Sequence, residues 1–173
     1  MNNKRLLPAL GLMLSLTSLP TFSAELALSA GSTGQGDATL RAGLLSTWNK
    51  QWWVSDTGHL GGYWDAGYTY WDGGSRSSAA HALSFTPVFT YSFARPRWQP
   101  FVEAGIGVAV FSKTRVSSRK LGAAFSFEDR LGAGVTLPNG GKLGLRALHY
   151  SNASIKMPNE GIESYSVFYH HPL

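Results

Sequence analysis

An all-β fold, an eight-stranded antiparallel transmembrane β-barrel of the outer-membrane type, is the class that this 173-residue sequence predicts. Three observations carry the prediction. The chain opens with an export leader, it contains no later apolar run long enough for a spanning helix, and its hydrophobic pattern has period two with an uncharged bulky face.

The leader reads Met1-Asn2-Asn3-Lys4-Arg5, then an apolar run from Leu6 to Leu19, then Thr21-Phe22-Ser23. Two cations, an apolar stretch and small residues at the third and first positions before a cut are the parts of a secretory signal. The run is interrupted by Pro8 and Gly11 and is shorter than the ~20 residues that a spanning helix needs. A cut after Ser23 gives a signal peptide, 1–23, and a single domain, 24–173. Losing Lys4 and Arg5 lowers the formal net charge from +5 to +3. A charge so mild and scattered argues against nucleic acid as a partner.

The remainder has no cysteine, so disulfides do not hold it together. Any membrane span must be made of strands, because no other fully hydrogen-bonded option is left. Aromatic residues make up 13% of the chain, with six Trp and seven Tyr, a composition suited to a surface that crosses two lipid–water interfaces.

The clearest strand runs from His81 to Phe93. Its odd positions include Leu83, Phe85, Phe89 and Tyr91; its even positions are Ala82, Ser84, Thr86, Val88, Thr90 and Ser92. A soluble sandwich would carry Lys and Glu on its outer face, whereas this strand carries no charge at all. That pattern fits bulky residues toward lipid and small or polar ones toward a narrow lumen. Comparable segments lie at 24–34, 38–48, 60–71, 99–111, 122–137, 142–152 and 161–172, giving an even number, as a closed antiparallel barrel requires. Turn chemistry separates them: Gly34-Gln35-Gly36, Asp72-Gly73-Gly74, Arg95-Pro96-Arg97 and Pro138-Asn139-Gly140-Gly141. With a periplasmic N-terminus, the connections near 35, 75, 116 and 156 face outward and those near 53, 96 and 139 face the periplasm. Segment 49–59 is long for a periplasmic turn; Trp48, Trp52 and Trp53 there read as an interfacial belt.

Projecting each strand's parity turns Arg41, Asp65, Glu103, Glu128, Arg130 and Arg146 inward. Three cations and three anions in a narrow lumen are costly unpaired, but matched in number they form a network, a structural rather than an ion-conducting one. The last segment, ending Val167-Phe168-Tyr169-His170-His171-Pro172-Leu173, resembles the C-terminal assembly signature of outer-membrane barrels, with Leu where Phe is commoner.

Polar groups on a lipid-facing stripe are the anomaly that points to function. In 142–152 the apolar stripe is Leu143, Leu145 and Ala147, and His149 and Ser151 continue it; Glu163 falls on the same outward parity of 161–172. Residues two apart share a face at roughly 7 Å between backbones. Pairing 149 with 163 brings their Cβ atoms to ~5 Å and sets Ser151 opposite Gly161, which leaves room for substrate. The result is a nucleophile (Ser151), a base (His149) and an orienting carboxylate (Glu163) in the order that a Ser-His-acid mechanism needs. Three polar residues at an interfacial rim give the same pattern, and a two-residue slip in register would loosen the geometry. Asn152 follows the nucleophile, where it reads either as an oxyanion or supporting group or as a strand-end turn residue. Asp129 and His81 are on outward parity as support or rim residues. His170 and His171 have no cysteine or neighbouring carboxylate in sequence and predict no metal site. No phosphate loop and no G-x-S-x-G elbow occurs.

The run Ala147-Leu148-His149-Tyr150-Ser151-Asn152-Ala153, followed by Pro158-Asn159-Glu160-Gly161-Ile162-Glu163, resembles the lipid A 3-O-deacylase (PagL) family. Segments 62–71, 100–109 and 127–130 extend the likeness along the domain. The resemblance implies that His149, Ser151 and Glu163 are the catalytic triad. The activity it implies is hydrolysis of the ester-linked 3-hydroxyacyl chain at the 3-position of lipid A in lipopolysaccharide, with no metal and no cofactor. It also implies residence in the bacterial outer membrane among its lipids, with the active site toward the outer leaflet. Lys113, Arg115, Arg119 and Lys120 then become candidate contacts for lipid A phosphate, with Lys156 and Arg76 as lesser ones; a solvated loop accounts for them equally. An outer-membrane phospholipase and a non-enzymatic structural barrel stay open as alternatives, with a soluble ligand-binding barrel more distant. The sequence is compatible with a homodimer without specifying one.

Overall fold

The computed structural model describes residues 23–75, 77–95 and 97–173. The expected leader lies outside the described residues except for Ser23, and so do Arg76 and Pro96. The described chain forms β1 (Ala24–Thr33), β2 (Ala38–Thr47), β3 (Trp52–Ser55), β4 (Gly58–Trp71), β5 (Ala80–Phe93) and β6 (Gln99–Phe111). It continues through β7 (Arg115–Val116), β8 (Arg119–Lys120), β9 (Phe125–Thr136), β10 (Lys142–Ser151) and β11 (Ile162–Pro172). Eight long strands pair in the order β2-β1-β11-β10-β9-β6-β5-β4, and β4 returns to β2 to close an antiparallel barrel. At 10–14 residues each, they meet or exceed the ~9–11 that a tilted strand needs to cross a bilayer.

Alternation along each strand sorts its side chains. On β5 Leu83, Phe85 and Phe89 are exposed while Ala82, Thr86 and Val88 are buried; on β10 and β11 the odd positions face out and the even ones in. The six charges assigned to the lumen are all buried there. Arg130 bridges Asp65 at 2.6 Å and Glu128 at 2.7 Å, Arg41 reaches Asp65 at 3.1 Å, and Arg146 meets Glu103 at 2.6 Å. The Tyr63 and Tyr150 hydroxyls donate to Glu103 and Glu128, both at 2.7 Å. Several strand glycines make the room: a Cβ on Gly67 would overlap the Arg41 guanidinium. Above this layer the lumen holds an aromatic cluster beside buried hydroxyls, with Thr39 and Ser164 hydrogen-bonded at 2.8 Å. Trp71, Phe111 and Tyr150 pack around one another at 5.3–5.7 Å, closed over by Leu121 and Ile162.

Two segments differ from expectation. Segment 49–59 is no plain turn: β3 pairs with the first residues of β4, 58–60, where β2 has already left off, so β3, β4 and β5 extend past the rim. Residues 122–124 are not strand; Gly122 turns at φ 74° beneath the 152–161 loop. The turn before β10 follows its chemistry. The Asn139 side chain accepts from Gly141 N–H at 3.1 Å, and Gly140 takes φ 82°, a left-handed conformation that a side chain would strain.

Candidate active site on the outer wall

Strand β10 delivers His149 and Ser151 to one face, and β11 delivers Glu163 opposite His149 in register. The His149 Nδ1 to Glu163 Oε1 distance is 3.0 Å, with both side chains partly exposed, 42% and 28%. This bond holds the ring by Nδ1 and leaves Nε2 available to a nucleophile. Ser151, half-buried, stands two residues further along the same wall.

Gly161 explains how the ring finds space. A Cβ there would lie 2.8 Å from His149 Cε1 and 3.4 Å from Nε2, and its φ of 65° already favours glycine. The other oxygen of Glu163 faces the β1–β2 turn, 3.5 Å from where a Cβ of Gly34 would sit. On the opposite flank Asp129 of β9 pairs with His149, so the histidine stands between two outward carboxylates.

From His149 and Glu163 an apolar groove of about 670 Å³ descends the outer wall, past Ala147, Leu131, Ile106 and Ala104, to Pro87 and Phe89 on β5. Pro87 contributes to its shape. Lacking an N–H, it interrupts the β5–β6 ladder, which breaks off at Phe85–Val108 and resumes at Val88–Gly105.

Asn152 is turned the other way. Its side chain is buried, and both amide hydrogens are donated, to Leu121 O and Lys156 O at 2.7 Å. Its backbone N–H goes to Asn159 Oδ1 at 2.9 Å. No donor of Asn152 remains for an oxyanion; what it does is tie two loops together beside Ser151. The same ties hold Ala153 and Ser154 at φ 50° and 63°, a left-handed conformation of non-glycine residues that persists only when surroundings enforce it. Asn159 went unassigned in the sequence, although it sits in an Asn-x-Gly turn signal. Its oxygen accepts from the backbone N–H of Asn152, the residue after Ser151, and among the described residues its NH₂ has no partner.

Of the loop cations, Lys113 is committed to Ser78 Oγ at 2.5 Å and Ala79 O at 2.8 Å. Arg119 lies against the Gln35 amide, whose oxygen accepts from the guanidinium at 3.1 Å when the amide is turned to match its donors. Arg115 and Lys120 face each other across the β7–β8 hairpin and form no ion pair among the described residues. Lys156 is exposed on the loop after Ser151. His81 bonds Tyr68 at 2.6 Å, but β6 and β9 separate it from His149. His170 is buried beside Glu25, and His171 is exposed at the far rim.

The family model described as lipid A 3-O-deacylase (PagL) matches residues 35–172. The chain belongs to the lipid A 3-O-deacylase (PagL) family. Within that family it is 53% identical to the lipid A deacylase PagL of Pseudomonas aeruginosa, over 98% of this chain and 99% of the relative. It is 35% identical to the lipid A deacylase PagL of Bordetella bronchiseptica, over 64% of this chain and 65% of that one. The crystal structure of the outer membrane enzyme PagL superposes with a TM-score of 0.84 at 55% identity, covering 86% of this chain and 99% of the other. Its shared architecture agrees with the barrel described above.

Proposed function

We propose that this PagL-family barrel is a lipid A 3-O-deacylase of the bacterial outer membrane that hydrolyses the 3-linked hydroxyacyl ester by a Ser-His-Glu mechanism. The carrying observation is the His149–Glu163 bond on the lipid-facing wall at the mouth of an apolar groove. Residues 1–23 serve as the export signal, and the end bearing Ser151 faces the outer leaflet, where lipid A resides.

A lipid diffusing in that leaflet reaches the wall without entering the lumen. Ser151 Oγ attacks the ester carbonyl while His149 Nε2 takes its proton, and Glu163 holds the ring tautomer and stabilises the imidazolium. The developing oxyanion accepts from the Asn159 NH₂. Collapse forms the acyl-enzyme and returns the proton to the sugar oxygen. Water, deprotonated by His149, then releases the 3-hydroxy fatty acid and restores Ser151. All three groups come from one chain, so the chemistry requires no second copy; a homodimer would have another purpose. Arg115 and Lys120, free of ion pairs among the described residues, are the cations best placed to meet a headgroup phosphate; Lys113 and Arg119 serve the loops.

The test is the mass of lipid A from cells carrying the protein, with phospholipid assayed in parallel. Loss of one hydroxyacyl group from the 3-position, with phospholipid intact, is the expected result. An unchanged lipid A spectrum, or cleaved phospholipid instead, overturns the reading.

A further inference from the structure

The rim at the Ser151 end of the barrel carries a recess of its own, apart from the wall. Residues just before β5, just after β6 and just before β9 enclose a polar cleft of about 440 Å³. It is lined by Ser77, Ser78, Ser112, Lys113, Thr114 and Arg115 and, among the described residues, by no carboxylate. Its cations are held in place. Lys113 donates to Ser78 Oγ and Ala79 O, both neutral, so its charge is uncompensated and one of its three N–H donors is left over. Ser112 is fixed by His81: its Oγ accepts from His81 N–H at 2.9 Å, and its own N–H donates to His81 O at 2.8 Å. Arg115 opens β7, whose next residue, Val116, is buried, and Leu121 N–H donates to Thr114 O at 2.8 Å. Across that hairpin Arg115 stands opposite Lys120, with no ion pair to either among the described residues. Like charges directly opposite destabilise a strand pair, a repulsion that a bound anion relieves.

We infer that this cleft holds a phosphate of lipid A and thereby selects which ester reaches Ser151; this rests on the 3-O-deacylase reading and deepens it. Lipid A carries several hydroxyacyl esters of similar chemistry, which apolar contacts alone distinguish poorly. Its phosphates are at fixed positions on the sugars, so a phosphate pinned at a set distance from Ser151 fixes the register of the headgroup. The cleft is centred over β6, and β9 alone separates β6 from β10. Two strand spacings of ~4.8 Å put it about 10 Å sideways from the strand that bears Ser151. That separation suits a phosphate on the second glucosamine rather than one on the ring that bears the scissile ester. The Arg115 guanidinium and the Lys113 ammonium donate charge-assisted bonds to it, and the serine hydroxyls donate to its remaining oxygens.

In the experiment the full barrel in mixed micelles receives lipid A bearing both phosphates, or lacking the one on either sugar, and tandem mass spectrometry locates the chain removed. With both phosphates present, wild type should remove only the 3-linked chain. Without the phosphate of the second sugar, KM should rise roughly tenfold, the combined scale of two solvent-screened charge contacts, and other esters should begin to be cleaved. Removing the phosphate of the ester-bearing ring should change neither. Lys113→Gln/Arg115→Gln keeps amide donors and removes both charges. It should show the raised KM on intact lipid A with kcat held, and no further response when the second sugar loses its phosphate. Its heat-dependent gel mobility first shows that it is folded; if it is not, Arg115→Gln alone carries the same expectation with a smaller step. A wild type that ignores the phosphate of the second sugar, or depends on the other one instead, overturns the inference while leaving the deacylase reading intact. So does a folded variant that responds to the phosphates as wild type does; a wild type that cleaves no lipid A overturns both.

Discussion

At the scale of single residues, Glu163 supplies orientation and charge to His149 through one 3.0 Å bond that is partly open to solvent. Glu163→Gln keeps the shape and removes the charge. It should lower kcat by about 10–10³-fold with little change in KM, less than a fully buried partner would cost; steady-state kinetics on a soluble 3-hydroxyacyl ester checks this, and an unchanged kcat would remove Glu163 from the mechanism. The three groups were legible in the sequence because period-two parity is rigid: a polar residue that continues an apolar stripe must face outward. Of the two roles open to Asn152, oxyanion donor or support, the structure favours support, and the sequence left the choice open because parity gives direction only within the strand. Asn152 lies one residue beyond β10, and only the loops show where its hydrogens go.

At the scale of elements, the loops around Ser151 are interlocked. Asn152 ties 121–122 to 152–159, Lys120 N–H donates to Glu160 at 2.6 Å and Glu160 N–H to Lys120 O at 3.1 Å, and Ser117 hydrogen-bonds Asp37 of the β1–β2 turn. Asn152→Ala frees the strained Ala153–Ser154 turn and with it Asn159. Activity should drop about 10–10²-fold while the barrel's thermal transition moves little, because the lost bonds, ~1 kcal/mol each, belong to a terminal loop. Faster proteolysis within 152–161 would report the release; full activity in the variant would refute the role. The sequence showed these strands to within a few residues. It missed β3, β7 and β8 because four- and two-residue strands carry too little alternation to stand out from a turn, and because Trp48 read as an interfacial anchor rather than as a ring seated on Gly62.

At the scale of the whole molecule, the lumen is a solid core of matched charge capped by aromatics, and the proposed site lies outside it. Glu103 takes hydrogen bonds from Arg146 and Tyr63 with no exposure to water. Glu103→Leu leaves Arg146 buried and uncompensated and should destabilise the barrel by about 3–5 kcal/mol, with much of that recovered in Glu103→Leu/Arg146→Met. Urea-driven unfolding in lipid vesicles measures both; equal stability of the single variant and wild type would mean that the network is idle. Parity showed which charges turn inward and which polar groups turn outward, and matched signs inside and unmatched polar groups outside call for different explanations. The apolar cap was not legible, because Trp71, Phe111 and Leu121 come from separate strands and loops and meet only on closure.

The most direct test of the outward-facing site is release of free 3-hydroxy fatty acid from purified lipid A by reconstituted wild-type and Ser151→Ala barrels, each shown to be folded. Wild type should release one equivalent per lipid A, and the variant should be slower by at least about 10³-fold; a folded Ser151→Ala barrel that releases the acid at the wild-type rate would contradict the account.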